Sequence, residues 1–235
     1  MITFALIHSP LVGPFTWTRV YEELKRMGFD PIAPVLLTGD DLQPPYWKRH
    51  AEIAAHALKH IPAGQDIVLV GHSGAGMLLP SIRDEMECPV SAYIFVDAGI
   101  PENMKSRLDL FGSTEADDFR RSAVAGYIPA WTEDDLHEVI PDAQLRQRFV
   151  TELHPTPLLV YEEPVPVFEG WPDAPCGYIQ FSPVYDKPAE FAREKGWGYR
   201  RLDGGHFHML VDPQAVTAAL IDLVEGLNKG KIWEY

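Results

Sequence analysis

Residues Ile67 to Gly76 read IVLVGHSGAG, an apolar run that ends on a glycine, presents His72 and Ser73, and continues through Gly74, Ala75 and Gly76. The run Ile67 to Val70 suits a strand buried on both faces, and Met77 to Met86 (MLLPSIRDEM) suits a helix. Almost no side-chain bulk stands between them. Glycine accepts the backbone angles that a tight strand-to-helix turn imposes, and the positive end of the following helix favours negative charge at the turn. The segment predicts a serine hydroxyl exposed at the end of a strand, which suggests a nucleophile as well as a fold.

Outward from this turn, strand-like and helix-like segments alternate, the pattern of an α/β protein with a mostly parallel sheet covered by helices on both faces. Ile2 to Ile7 predicts the first strand, Phe15 to Met27 a helix, Pro31 to Val35 a short second strand, and Tyr46 to His60 a helix with alanines on one side. After the Ile67 strand and its helix, Val90 to Val96 predicts another strand. The alternation fails between Pro101 and Pro175, where acidic, aromatic and proline-containing pieces include helical patterns near Glu115 to Gly126, Thr132 to Val139 and Ala143 to Leu153. No low-complexity linker or repeat sets this stretch apart, so residues 101–175 are expected to form a lid inserted into one domain spanning 1–235. The sheet resumes at Tyr178 to Phe181, followed by a helix from Pro188 to Lys195, a strand from Gly198 to Leu202 and a last helix from Pro213 to Leu227.

The 235 residues, 46% of them hydrophobic, are enough to bury one substantial core. The excess of 34 acidic over 20 basic residues gives a formal charge of −14, which argues against nucleic acid or an anionic membrane surface as partner. Only Cys88 and Cys176 occur, so no disulfide framework is indicated. The strand-like N-terminus does not resemble a signal peptide, and no apolar stretch approaches a membrane span; a cytoplasmic location is expected.

A serine hydroxyl is a weak nucleophile until an imidazole takes its proton, and the imidazole works best when a carboxylate orients it. The segment Leu202 to Pro213, LDGGHFHMLVDP, places His206 after two glycines in a loop between the last strand and the terminal helix. With parallel strands, this loop shares the sheet edge with Ser73. Two aspartates sit at strand ends: Asp97 directly after YIFV, and Asp186 in SPVYDKP. His208 is expected to pack beside the base, and His8 to hold the first loop by hydrogen bonding. His72 is given no catalytic part. The His-Phe-His spacing has no accompanying Cys/His cluster, so no metal site is expected. Gly71, Gly74 and Gly76 do not make G-x-G-x-x-G and no G-K-[ST] follows, so no nucleotide cofactor is expected.

The segments LIHSPLVGPFTW, GHSGAG, VDAGIP and GGHFHMLVDP together resemble the α/β-hydrolase family, of the compact kind with a helical lid, over nearly the whole chain. The order Ser, Asp, His agrees with the family's triad order. The resemblance implies Ser73 as nucleophile, His206 as general base and then acid, and Asp186 as the orienting acid, with Asp97 as the alternative. Asp186 also reads as a helix N-cap. The resemblance further implies an oxyanion hole made by the Gly74 amide and a donor in the first loop, near Ser9 to Leu11. This chain has Ala75 where the family's G-x-S-x-G has its second glycine, and His8-Ser9-Pro10 where the family has His-Gly-X. Proline has no amide hydrogen, so the Leu11 amide or the Ser9 hydroxyl is expected to substitute.

The expected function is cofactor-independent cleavage of a small ester, lactone or thioester through an acyl-enzyme. Phe111, Phe119, Tyr127, Trp131 and Phe149 favour a substrate that is apolar or aromatic in part, although each also suits packing of the insertion on the sheet. Two alternatives remain: a lyase or cyclase on the same fold, motivated by Pro10, and a noncatalytic ligand-binding protein.

Overall fold

The computed structural model describes residues 2–36, 43–62 and 64–229. Its central sheet holds β1 (Ile2–Ile7), β2 (Asp66–His72), β3 (Ala92–Val96), β6 (Cys176–Gln180) and β7 (Gly198–Arg201), in the order β1-β2-β3-β6-β7 with every neighbouring pair parallel. Successive side chains of a strand point to opposite faces, and these strands bury both. Phe4, Leu6, Val68, Val70, Ile94, Val96 and Ile179 enter one core, and Ala5, Ile7, Ile67, Leu69, Tyr93, Phe95 and Tyr178 enter the other. The first core is covered by α1 (Phe15–Arg26), α9 (His208–Val211) and α10 (Pro213–Lys229), through Trp17, Val20, Leu24, Met209, Val216 and Leu220. The second is covered by α2 (Tyr46–Leu58), α3 (Leu79–Asp84) and α8 (Asp186–Glu194), whose small residues Ala51, Ala54, Ala55, Ala189 and Ala192 let helix and sheet approach closely.

Between β3 and β6 the chain leaves the sheet. It forms α4 (Ser113–Ser122), a two-stranded antiparallel pair of β4 (Tyr127–Ile128) with β5 (Thr156–Pro157), α5 (Glu133–Leu136), α6 (Ala143–Val150) and α7 (Leu159–Glu162). The insertion is tied to the body by Glu163, whose carboxylate accepts the backbone N–H of Tyr46 at 2.8 Å and of Trp47 at 2.5 Å, so that it satisfies the first amides of α2.

Two expectations change. Pro31 to Val35 is not a strand: only Ile32 bridges to Ala5, because Pro31 and Pro34 have no N–H to give a ladder. The helix expected from Met77 is preceded by a 3-10 helix, Ser73–Leu78, and the α-helix begins at Leu79, where Pro80 occupies a first-turn position that does not need an N–H. Cys88 and Cys176 are both free thiols. Among the described residues no helix is long and apolar enough to cross a membrane.

Candidate active site

The sheet register aligns the ends of its strands. Ile7 pairs with Gly71, His72 with Val96 and Val96 with Ile179, so the chain leaves β1, β2, β3 and β6 into His8, Ser73, Asp97 and Phe181 along one edge. Ligands of parallel α/β sheets bind beyond such carboxyl ends.

Ser73 sits at φ +56°, a left-handed conformation that costs a non-glycine residue about 1 kcal/mol or more and so requires support from its surroundings. The support comes partly from the loop after β3, where the Gly99 N–H donates to the Ser73 carbonyl at 3.3 Å. A Cβ on Gly76 would lie 2.2 Å from the Gly99 carbonyl oxygen. The position that cannot carry a side chain is therefore 76, while Ala75 is fully buried without such an obstacle. This accounts for the displaced glycine of GHSGAG.

Asp97, not Asp186, meets His206. The Asp97 carboxylate is fully buried and accepts four hydrogen bonds: from His206 Nδ1 at 2.8 Å, Ser182 Oγ at 2.7 Å, and the backbone N–H groups of Phe181 at 2.9 Å and Ser182 at 3.0 Å. Its φ of +43° turns it from the end of β3 toward the end of β6. The expected Asp186 is the first residue of α8, where its carboxylate accepts from Gln180 Nε2 at 2.5 Å and lies 3.8 Å from Arg201. No N-cap bond is formed there, so the alternative expectation for Asp186 also fails. The physical reason is that the loop after β6 spends its amides on Asp97 before the chain reaches position 186.

His206 is held from two sides. Its ring gives Nδ1–H to Asp97, which leaves Nε2 as the nitrogen able to accept a proton. Its backbone carbonyl accepts from His72 Nε2 at 2.9 Å, and the two imidazole rings lie 4.4 Å apart. Burial, reinforced by the neighbouring His206, pushes the His72 pKa well below its ordinary value, so His72 is a neutral donor that fixes the backbone at His206. His208 packs edge-on against Phe181 at 5.5 Å. Among the described residues, no group of three or more His, Cys, Asp or Glu side chains is arranged to hold a metal ion.

Tyr185 is one of the residues at this site that sequence reasoning missed. Its hydroxyl lies 3.1 Å from Ser73 Oγ and its ring stacks on His206 with centroids 5.3 Å apart and planes 10° apart. In this resting arrangement the serine pairs with the phenol. Burial raises the Tyr185 pKa, so the phenol stays protonated. The available signal is its place in SPVYDKP, next to Asp186.

On the other side of Ser73, the first loop makes a turn in which the Val12 N–H donates to the Ser9 carbonyl at 3.0 Å, with Pro10 and Leu11 between. His8 anchors this turn, as expected: Nδ1 donates to the Ser9 carbonyl at 2.9 Å and Nε2 accepts from the Leu36 N–H at 3.0 Å. Burial lowers the His8 pKa to about 4, which keeps the ring neutral and the Nε2 acceptor available. The Leu11 N–H is directed to Ser9 Oγ at 3.5 Å. A Cβ on Gly74 would lie 3.1 Å from Ser9 Oγ and 3.0 Å from Tyr161 Oη, so two hydroxyls fill the space that a side chain at 74 would take. Those hydroxyls are 3.4 Å apart. Behind them Arg107, also unforeseen from sequence, donates from Nε to the Gly74 carbonyl at 3.0 Å and from Nη1 to the Val160 carbonyl at 2.6 Å.

The aromatics of the insertion divide. Phe149 and Trp131 pack on Phe207, at 4.7 and 5.8 Å, and belong to the core beneath the base. Phe119 stacks on Tyr161 at 4.8 Å and Phe111 meets Phe119 at 6.0 Å, on the Ser9 side. Tyr127 lies in the short β4 strand.

The alpha/beta hydrolase family profile matches residues 6–220, and the chain belongs to that family. It is 23% identical to a carbendazim hydrolyzing esterase of a Nocardioides species, over 95% of this chain and 100% of that protein. It is 26% identical to Methylesterase 8 of Arabidopsis thaliana, over 61% of this chain and 58% of that one. In structure it resembles an extracellular alpha/beta-hydrolase from a Paenibacillus species, described as sharing structural and functional homology with tobacco Salicylic Acid Binding Protein 2, with a TM-score of 0.80, 16% identity and coverage of 95% and 99% of the two chains.

Proposed function

We propose that this chain is a serine hydrolase that cleaves a small carboxylic ester, lactone or thioester through an acyl-enzyme, with Ser73 as nucleophile, His206 as base and Asp97 as the orienting acid. The observation that carries the reading is the Asp97–His206 pair, bonded at 2.8 Å and joined to Ser73 through Tyr185, which touches both the serine and the imidazole. The named esterases among its relatives support the same reaction class.

Substrate entry draws the Ser73 hydroxyl away from Tyr185 to His206 Nε2. The serine oxygen then attacks the carbonyl carbon as its proton passes to the imidazole, and the resulting imidazolium is stabilised by the buried Asp97 carboxylate. The imidazolium returns the proton to the departing alkoxide or thiolate, leaving an ester on Ser73. Water, deprotonated by the same imidazole, adds to that ester, and collapse releases the acid and the serine. The Gly74 N–H supplies one bond to the negative oxygen, and Ser9 and Leu11 line its other side. The chemistry uses side chains and water and needs no cofactor.

Residues 101–175 act as the lid of the site, and the apolar surface around Phe111 and Phe119 supports a small-molecule substrate that is apolar or aromatic in part. The free thiols Cys88 and Cys176 support a reducing, cytoplasmic setting. Pro10 favours a second reading on the same fold, a lyase or cyclase with little oxyanion character.

Ser73→Ala decides between them and against a binding protein. Hydrolysis of p-nitrophenyl acetate by purified protein should fall by about 10⁴-fold or more in the variant. A fluorophosphonate probe should label wild type and not Ser73→Ala. Unchanged turnover in the variant overturns the proposal.

A further inference from the structure

Pro10 removes a donor, and the structure fills the same corner with hydroxyls. Ser9 Oγ and Tyr161 Oη stand 3.4 Å apart, and both border Gly74, whose amide follows the nucleophile. Two hydroxyl groups have two protons, and the single hydrogen bond between them uses one. The other is free for a third acceptor beside Gly74. Ser9 Oγ already receives the Leu11 N–H, at 3.5 Å.

The geometry points to Tyr161 as an oxyanion-binding catalytic residue, its phenolic O–H donating to the developing negative oxygen in place of the amide that Pro10 lacks. This assignment rests on the ester-hydrolase reading above. Of the two hydroxyls the phenol is the stronger donor, because a phenol ionises near pH 10 and an aliphatic alcohol does not ionise in water at all accessible pH values. The Arg107 guanidinium sits 5.6 Å from the centre of the Tyr161 ring and opposes the effect of burial on that phenol, stabilising negative charge as it spreads onto the phenolic oxygen. Ser9 then turns its own O–H to Tyr161 Oη and polarises it further, so the Leu11 amide, Ser9 and Tyr161 form a chain of donors that ends at the substrate. Arg107 also holds the Gly74 carbonyl, which fixes the residue whose own N–H is the other donor of the hole. Gly74 is thereby explained: a side chain there would displace the phenol.

The test uses p-nitrophenyl acetate, an ester probe, with the full-length protein. Tyr161→Phe keeps the buried ring and removes one oxygen; kcat should fall about 10²-fold while KM moves by less than about 2-fold, the split expected for a bond made only in the transition state. Pro10→Ala restores an amide hydrogen to the first loop, and in the Tyr161→Phe background it should recover at least about 10-fold of the lost kcat. A trifluoromethyl ketone, whose adduct with Ser73 carries the negative oxygen, should bind Tyr161→Phe weaker by the same factor as the fall in kcat. A Tyr161→Phe kcat within about 3-fold of wild type, or an undiminished affinity for the ketone, overturns the assignment whatever the Pro10→Ala protein does. If Ser73→Ala is inactive and Tyr161→Phe fully active, this assignment fails alone. If Ser73→Ala is fully active, the ester-hydrolase reading fails with it.

Discussion

The two sides of Ser73 are built to different tolerances. On the His206 side, Asp97, His206, His72, the Ser182 hydroxyl and the amides of Phe181 and Ser182 are joined by bonds of 2.7 to 3.0 Å around a fully buried carboxylate. On the Gly74 side, Leu11, Ser9 and Tyr161 are linked at 3.5 and 3.4 Å, and Pro10 offers no amide hydrogen. Short bonds mark an Asp97–His206 arrangement already in place in the resting protein, in which Ser73 still pairs with Tyr185. Under the proposed function, the long ones belong to donors that tighten when charge appears, since catalytic hydrogen bonds in an unliganded site are often long or misaligned. Under the proposed function, the Asp97–His206 pair is in place before substrate arrives, whereas the Ser73–His206 bond and the donors around Gly74 are completed by it.

The largest effect expected from this contrast is on the tight side. Asp97→Asn keeps the shape but presents the imidazole with an amide, and kcat should fall about 10⁴-fold. Asp186→Asn, at the aspartate outside the constellation, should change kcat by less than about 2-fold, as a substitution remote from the reacting atoms does. Steady-state assays of the two variants side by side would break the comparison if their effects were reversed.

An intermediate effect concerns the footing of the loose side. His8 is held neutral by burial with a pKa of about 4, against 6.5 in a flexible chain. Between those values the unfolded chain binds a proton that the folded chain refuses, so stability is lost as pH falls through that window, by up to about 3 kcal/mol for this one group. His72 adds to the loss in the same direction, because its pKa is also lowered by burial. Urea unfolding at several pH values between 7 and 4.5 measures the slope. A flat profile would show that the first loop is not anchored by a neutral His8.

The smallest effect lies at the boundary between the sides. Tyr185→Phe keeps the ring stacked on His206 and releases the Ser73 hydroxyl, a neutral bond worth about 1 kcal/mol. Fluorophosphonate labelling of Ser73 should accelerate by about 2- to 5-fold, the rate equivalent of that bond. Slower labelling would mean that the tyrosine aids the serine instead of restraining it.

The sheet and its main helices were legible because burial imposes periodicity on the residues that make them. Phe4 and Leu6 go to one face while Ala5 and Ile7 go to the other, and Trp17, Val20 and Leu24 recur at helical spacing. Ser73 was legible at the end of β2, and His206 in the loop after β7, because glycines stand beside both. The partner of His206 was not. Choosing Asp97 over Asp186 requires the positive φ at 97 and the pairing of Val96 with Ile179, neither of which leaves a trace in residue type. Tyr161 and Arg107 were hidden for a different reason. They lie in the insertion, where elements such as β4 and β5 are two residues long and carry no period, and they reach Gly74 only through tertiary packing. Pro10 could be read as a missing donor, but not what stands in its place.

The hold of residues 181 and 182 on Asp97 has a consequence for anyone reshaping this scaffold. Segment 181–185 resembles an exchangeable surface connection, with Val184 80% exposed at its tip. Its backbone nevertheless braces Asp97, and its final residue bonds Ser73. Replacing Val184 alone leaves both attachments in place, whereas transplanting a loop of different length would dislodge Asp97 and the partner of Ser73 in a single change. Phe111 and Phe119, which pack on each other and on Tyr161, lie outside the hydrogen bonds that hold Asp97.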